Sequence, residues 1–159
     1  MPLSIRINRP RRRDSLPRLP IQPLLLACML AGQTPAQAAA GQLHILVEGI
    51  QGAPGQLRAS LYREPDSFRK EARALQTITL PARPDRAELA FDGLNDGRYA
   101  VMVYHDTNDN QALDLRFGMF PTEGYGLSNN PQVMGPPKFE DSAFELKGPE
   151  TRIQIRLAY

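Results

Sequence analysis

The 159-residue chain carries 19 basic and 17 acidic side chains, and its small positive charge belongs to one end. Residues 1–40 hold six arginines and one aspartate, leaving thirteen basic and sixteen acidic residues, net −3, in residues 41–159. That balance argues against a nucleic acid or an anionic membrane as a partner attracted by overall charge.

Residues 1–20 contain Arg6, Arg9, Arg11, Arg12, Arg13 and Arg18; an apolar run follows over residues 21–31, then Ala36-Gln37-Ala38-Ala39-Ala40. A basic region, a short apolar region and an Ala-x-Ala site in this order predict a secretory signal peptide over residues 1–38. Cleavage is expected after Ala38, with Ala40 as the alternative. The apolar run is too short for a permanent transmembrane helix. Leu25-Leu26-Ala27-Cys28 offers a second reading, a lipobox that would lipidate Cys28 and anchor the chain. Apolar residues continue past Cys28, however, and an Ala-x-Ala site follows. Membrane attachment is expected only through that cysteine. Otherwise Cys28 leaves with the peptide, the mature chain has no cysteine, and the protein is periplasmic or secreted. Residues 39–159 suffice for one ordinary domain.

That domain reads as mostly β. Residues 42–50 alternate with Leu43, Ile45 and Val47 on one face, and residues 56–62 place Leu57, Ala59 and Leu61 inward with Arg58 and Ser60 outward. Residues 64–75 break the alternation; Asp66 or Ser67 as a cap predicts a short helix with Phe68, Ala72 and Leu75 on one face. Residues 77–80 are a short strand, and residues 86–91 alternate through Ala87, Leu89 and Phe91. Asn95-Asp96-Gly97 signals a tight turn. Residues 98–105 are apolar on both faces and predict a central strand. Residues 151–159 turn Ile153, Ile155 and Leu157 inward. Six or seven short strands separated by turn signals predict a single β-sandwich, with a small closed barrel as the competing architecture.

Chemistry concentrates in one loop, residues 104–114, Tyr-His-Asp-Thr-Asn-Asp-Asn-Gln-Ala-Leu-Asp. Oxygen-bearing side chains recur at Asp106, Asn108, Asn110 and Asp114, a spacing that turns several oxygens toward one point, as calcium loops do. In a calcium site Asp106, Asn108 and Asn110 would give side-chain oxygens, Ala112 a carbonyl and Asp114 a carboxylate. Gln111 stands where an EF-hand has glycine, and Phe117 where it has its closing glutamate, so the loop is not an EF-hand. Glu123 would complete the set if the following segment folds back. The alternative is a set of Asx turns that cap their own backbone. Calcium is the one cofactor these residues suggest. His105 ends the central strand in phase with Tyr99, Val101 and Val103, as a hydrogen-bonded structural histidine at the core's rim. No zinc or copper motif accompanies it, and Ser128 lacks a nucleophile elbow.

Residues 115–137 lack periodicity and hold four glycines and four prolines. Such a segment is functional or disordered; Phe117, Met119, Phe120 and Tyr125 favour an ordered excursion pinned to the domain and folded back near the 106–114 loop. Tyr125, Ser128, Asn129 and His105 are the candidate ligand-binding residues.

Together the motifs Gly97-x-Tyr99-Ala100, His105-Asp106-x-Asn108-x-Asn110-x-x-Leu113-Asp114, Gly118-x-x-Pro121-x-Glu123-Gly124-Tyr125-Gly126-x-Ser128-Asn129-Asn130 and Gly135-Pro136-Pro137-x-Phe139-Glu140-Asp141 resemble the exported bacterial family known as domain of unknown function 2141. The likeness covers roughly residues 42–159 and implies an exported bacterial protein with an immunoglobulin- or transthyretin-like sandwich. It implies no activity. Two function classes follow: a non-enzymatic envelope module that binds a ligand or protein or serves structurally, with a calcium-stabilised loop as its candidate feature, and a metal-assisted enzyme centred on His105, Asp106 and Glu123.

Overall fold

The computed structural model describes residues 40–159 except residue 53. The expected signal peptide over residues 1–38, its cleavage site and Cys28 lie outside the described residues. The chain runs β1 (Gly41–Ile50), β2 (Gln56–Tyr62), two 3-10 turns (Pro65–Ser67 and Glu71–Arg73), β3 (Gln76–Pro81), β4 (Asp85–Leu94), β5 (Gly97–Asp106), β6 (Leu115–Arg116), β7 (Phe120–Pro121), β8 (Tyr125–Leu127), α1 (Phe139–Ser142), β9 (Phe144–Leu146) and β10 (Glu150–Arg156). Among the described residues no helix is long and apolar enough to cross a membrane.

The strands form a three-stranded sheet in the order β10-β1-β4, a five-stranded sheet in the order β3-β2-β5-β8 with β9 also on β5, and a separate β6–β7 hairpin. All pairings between strands are antiparallel except β1 with β10, which runs parallel with Gln42 opposite Glu150 and Glu48 opposite Arg156. Period-two alternation explains the packing. Leu43, Ile45, Val47, Phe91 and Ile155 from the first sheet meet Leu57, Ala59, Leu61, Tyr99, Val101 and Val103 from the second in one buried cluster. Each large side chain in it contributes about 1.5–3 kcal/mol of burial.

β5 is apolar on both faces because both are covered. Its inner residues enter that cluster. Its outer residues Ala100, Met102 and Tyr104 join Tyr62, Phe68, Leu127 and Phe139 in a second. Phe68 meets Tyr62 and Phe139 edge-on, at centroid distances of 5.5 and 5.9 Å. The turn over residues 95–97 is present, and it carries the chain from one sheet to the other, since β4 and β5 are not hydrogen-bonded.

The helix expected over residues 64–75 does not form. Phe68 is extended, Arg69 takes φ +61°, and the N–H groups of Ser67, Phe68 and Ala74 reach back only three residues. Phe68 alone plugs into the outer cluster, while Ala72 and Leu75 are exposed. One apolar anchor does not define a helical face, and the left-handed residue beside it ends the turn.

Glu71 lies over the outer face of β5 and receives hydrogen bonds from Arg58 Nε (3.2 Å) and the Tyr104 hydroxyl (2.8 Å). Burial pushes the Tyr62 phenol up from 10.0 to about 12. Burial, aided by the bond to Glu71, raises Tyr104 as well. The folded chain therefore keeps these protons at a pH where the unfolded chain has lost them. Stability is expected to hold up to about pH 10 and to fall progressively as the pH rises toward about 12. Urea unfolding followed by circular dichroism across this window checks the slope, which Tyr62→Phe should flatten.

Candidate functional site

The 106–114 loop is built from its own side chains. Asp106, fully buried at the end of β5, accepts the N–H groups of Asn110 (3.0 Å) and Gln111 (2.8 Å), one on each carboxylate oxygen. Asn108 Oδ1 accepts Asn110 N–H (3.1 Å), and Asn110 Oδ1 accepts Ala112 N–H (2.9 Å). These are consecutive Asx turns. They let Asp109 and Gln111 sit at φ +57° and +63°. The two amide groups, with their nitrogens freed by that arrangement, donate to the Asp114 carboxylate at 2.8 and 3.0 Å.

Glu123 closes the loop from the far side. Its Oε1 accepts Thr107 N–H (2.8 Å) and the Thr107 hydroxyl (2.9 Å), and its Oε2 accepts Asp114 N–H (3.1 Å). One buried carboxylate thus holds both ends of the loop. The long segment does fold back, and Thr122 N–H completes the closure on the Asp114 carbonyl (2.9 Å).

Of the residues that would hold calcium, Asp106, Asn108, Asn110, Asp114 and Glu123 are brought into one network. In it every carboxylate oxygen of Asp106, Asp114 and Glu123 meets an N–H or hydroxyl donor. Ala112 enters with its N–H. Among the described residues, no group of three or more His, Cys, Asp or Glu side chains is arranged to hold a metal ion. A cation at Asp114 would have to displace the amide nitrogens of Asn108 and Asn110.

His105 is fully buried, deeper than the rim position its phase suggests. Its Nε2 lies 2.8 Å from the Pro54 carbonyl, which can only accept, so Nε2 carries the proton. Nδ1 then accepts the Tyr159 hydroxyl (2.8 Å), and that hydroxyl oxygen takes Gln51 N–H (2.9 Å). Burial raises the Tyr159 phenol, and the Gln51 bond partly offsets this. Tyr159 carried no signal in the sequence, because a tyrosine at the end of an alternating strand looks like any other. Thr107 was equally silent.

The Glu123–Asn130 segment is explained position by position. A Cβ on Gly124 would collide with the Tyr159 ring. One on Gly126 would stand 2.6 Å from the Arg156 carbonyl oxygen and 2.7 Å from Ile155. Glycine at both lets β8 approach β10 closely enough for Tyr125 and Ala158 to exchange N–H···O bonds of 2.9 Å in both directions. Ser128, fully buried, accepts Val101 N–H (2.9 Å). Asn129 donates to the Ala143 carbonyl (2.8 Å). Asn130 donates to the Gln154 carbonyl (3.0 Å) and accepts Arg156 N–H (2.8 Å), mimicking a strand beside β10.

Of the four candidate ligand-binding residues, His105 and Ser128 are sealed in the interior and Asn129 is bonded to backbone. Tyr125, half-buried, lines an open groove of about 420 Å³ together with Leu127, Pro131, Val133 and Arg156. The expectation that Phe117, Met119 and Phe120 pin the long segment is overturned, since all three are exposed. The segment is fixed instead by Glu123 and by Tyr125 and Leu127, which join the outer cluster.

A model of the family described as "Uncharacterized protein conserved in bacteria (DUF2141)" matches residues 45–154. No curated protein and no solved structure matches the chain.

Two substitutions test this account. Glu123→Ala removes the acceptor of three donors, two of them on the exposed Thr107, and should cost about 1–3 kcal/mol of unfolding free energy by urea titration. Gly124→Ala drives a methyl group into the Tyr159 ring, and a loss of about 1–3 kcal/mol is expected, largely relieved by Tyr159→Ala in the same chain.

Proposed function

Because the chain belongs to the bacterial DUF2141 family, whose description names no activity, we propose its role from the geometry. It is an exported, non-enzymatic module of immunoglobulin- or transthyretin-like sandwich form. It meets its envelope partner through surface loops, and the 106–114 loop is the hydrogen-bonded brace that holds them. Export is read from the order of the basic, apolar and alanine-rich stretches in residues 1–40.

One observation carries this reading: the polar side chains that chemistry would need are already engaged within the domain, mostly with backbone groups. Both ring nitrogens of His105 are engaged, and each carboxylate oxygen of Asp106 and Glu123 already accepts at least one donor. An enzyme centred on these three residues would have to open that network before any of them reached a substrate. A brace benefits from the same saturation, because a fully satisfied buried polar network is rigid. The alternating oxygens of Asp106, Asn108 and Asn110 serve here as turn formers, and Asp114 as the acceptor that gathers their amides.

Calorimetric titration of the chelator-treated protein with calcium tests the brace against the metal site. The brace predicts no saturable heat and an unchanged melting temperature at millimolar calcium, the range in which extracellular modules bind. Saturable binding that is lost in Asp114→Ala and accompanied by a raised melting temperature would overturn it.

A further inference from the structure

The brace presents a short finger. Residues 115–121, Leu-Arg-Phe-Gly-Met-Phe-Pro, form the β6–β7 hairpin, with Leu115 opposite Pro121 and Arg116 opposite Phe120. Its tip residues Phe117 and Gly118 take φ +53° and +69°, consecutive left-handed values within a three-residue loop over residues 117–119. Met119 N–H donates to the Arg116 carbonyl (3.2 Å). The base is clamped by Asp114 N–H on Glu123 and by Thr122 N–H on the Asp114 carbonyl.

On this finger the apolar side chains point away from the domain. Phe117 is 83 % exposed, Met119 70 %, Phe120 61 % and Leu115 45 %. Four such residues within seven positions, none in either buried cluster, form a patch of the kind that marks an interaction site. A phenylalanine held at positive φ at the tip is a strained choice that no packing within the domain repays.

We propose that this finger inserts into the interfacial layer of a lipid bilayer. The inference rests on the reading of the domain as a binding module and names the surface it meets. A bilayer asks for apolar side chains on a convex tip, for backbone groups that need no water, and for no charge stranded among acyl chains. The Met119 N–H bond to the Arg116 carbonyl answers part of the second demand, and the hydrated interfacial layer serves the remaining backbone groups. Arg116 is the only charged residue among residues 115–121. Its stem is long enough to carry the guanidinium back to the phosphate layer, where its sign is the complementary one. The neighbouring carboxylates Asp114 and Glu123 lie at the base of the finger, engaged by donors there and outside its apolar tip. Phenylalanine and methionine at the tip supply the insertion, and the domain's net negative charge plays no part in it. A braced hairpin also loses little conformational freedom on entering the layer.

The chain has no tryptophan, so one placed at the tip reports alone. In the full-length protein, Phe117→Trp should shift its emission to the blue on adding vesicles of phosphatidylcholine with a minority of phosphatidylglycerol. It should be quenched when the lipids carry brominated acyl chains. Leu75→Trp, exposed elsewhere on the domain, should show neither change, even where the N-terminal segment tethers the chain to the vesicle. Adding Phe120→Ser to the Phe117→Trp chain should lower the quenching by brominated lipid severalfold with the melting temperature unchanged, since the Phe120 side chain is exposed. Unchanged Phe117→Trp emission, or equal quenching of both reporters, would overturn the proposal. So would a blue shift that grows with protein concentration without lipid, which would assign the finger to a second copy of the chain. Any of these results, with the calcium titration silent and the fold intact, would leave the brace standing without its membrane surface.

Discussion

The buried carboxylate of Glu123 is the contact on which the far end of this domain depends. Burying a carboxylate costs several kcal/mol unless donors replace its water. Here three donors do so, two from Thr107 and one from Asp114. They come from the two ends of the 106–114 loop, so a single side chain converts an excursion of the chain into a closed structure. Among the described residues neither Glu123 nor Asp106 forms an ion pair with a basic group. The compensation is delivered by two backbone N–H groups and one hydroxyl, which fix direction as well as distance.

The same economy joins the two sheets at one side. Gly124 and Gly126 remove the side chains that would hold β8 away from β10. Asn130 then supplies from its side chain the donor and the acceptor that a further strand residue would supply from its backbone. Gly55, at φ +86° and with its missing Cβ facing the Asp106 carbonyl, lets the turn after β1 pass over the end of β5. Close approach of backbones, rather than any bulky contact, sets the shape here.

Strands were legible because alternation is a local property: Leu43, Ile45 and Val47 declare their face whatever they pack against. β5 was legible as central because both of its faces are apolar, although the cover of its outer face, Phe68 and Phe139, comes from segments with no periodicity. The helix over residues 64–75 was misread because three apolar residues at helical spacing do not reveal that only Phe68 has somewhere to go. At the site the difficulty is chemical. Aspartate, asparagine and glutamate that satisfy backbone groups have the same composition and spacing as those that ligate a cation, and only the direction of the N–H groups separates the cases. Aromatic residues in a long loop are ambiguous in the same way: Tyr125 turned inward and Phe117 outward, within a few residues of each other.

The parallel pairing of β1 with β10 fixes an order of events. Gln42 waits for Glu150, about a hundred residues later in any chain delivered from its N-terminus. Until then one edge of β1 is open, and Leu43, Ile45 and Val47 lack the part of their cover that Ile155 and Leu157 provide. The tail that completes this edge also brings Tyr159 onto His105 and Gly124. The segment over residues 150–159 therefore acts as a latch for both β1 and the braced end. A chain interrupted before it exposes a strand edge ready to pair with a neighbour.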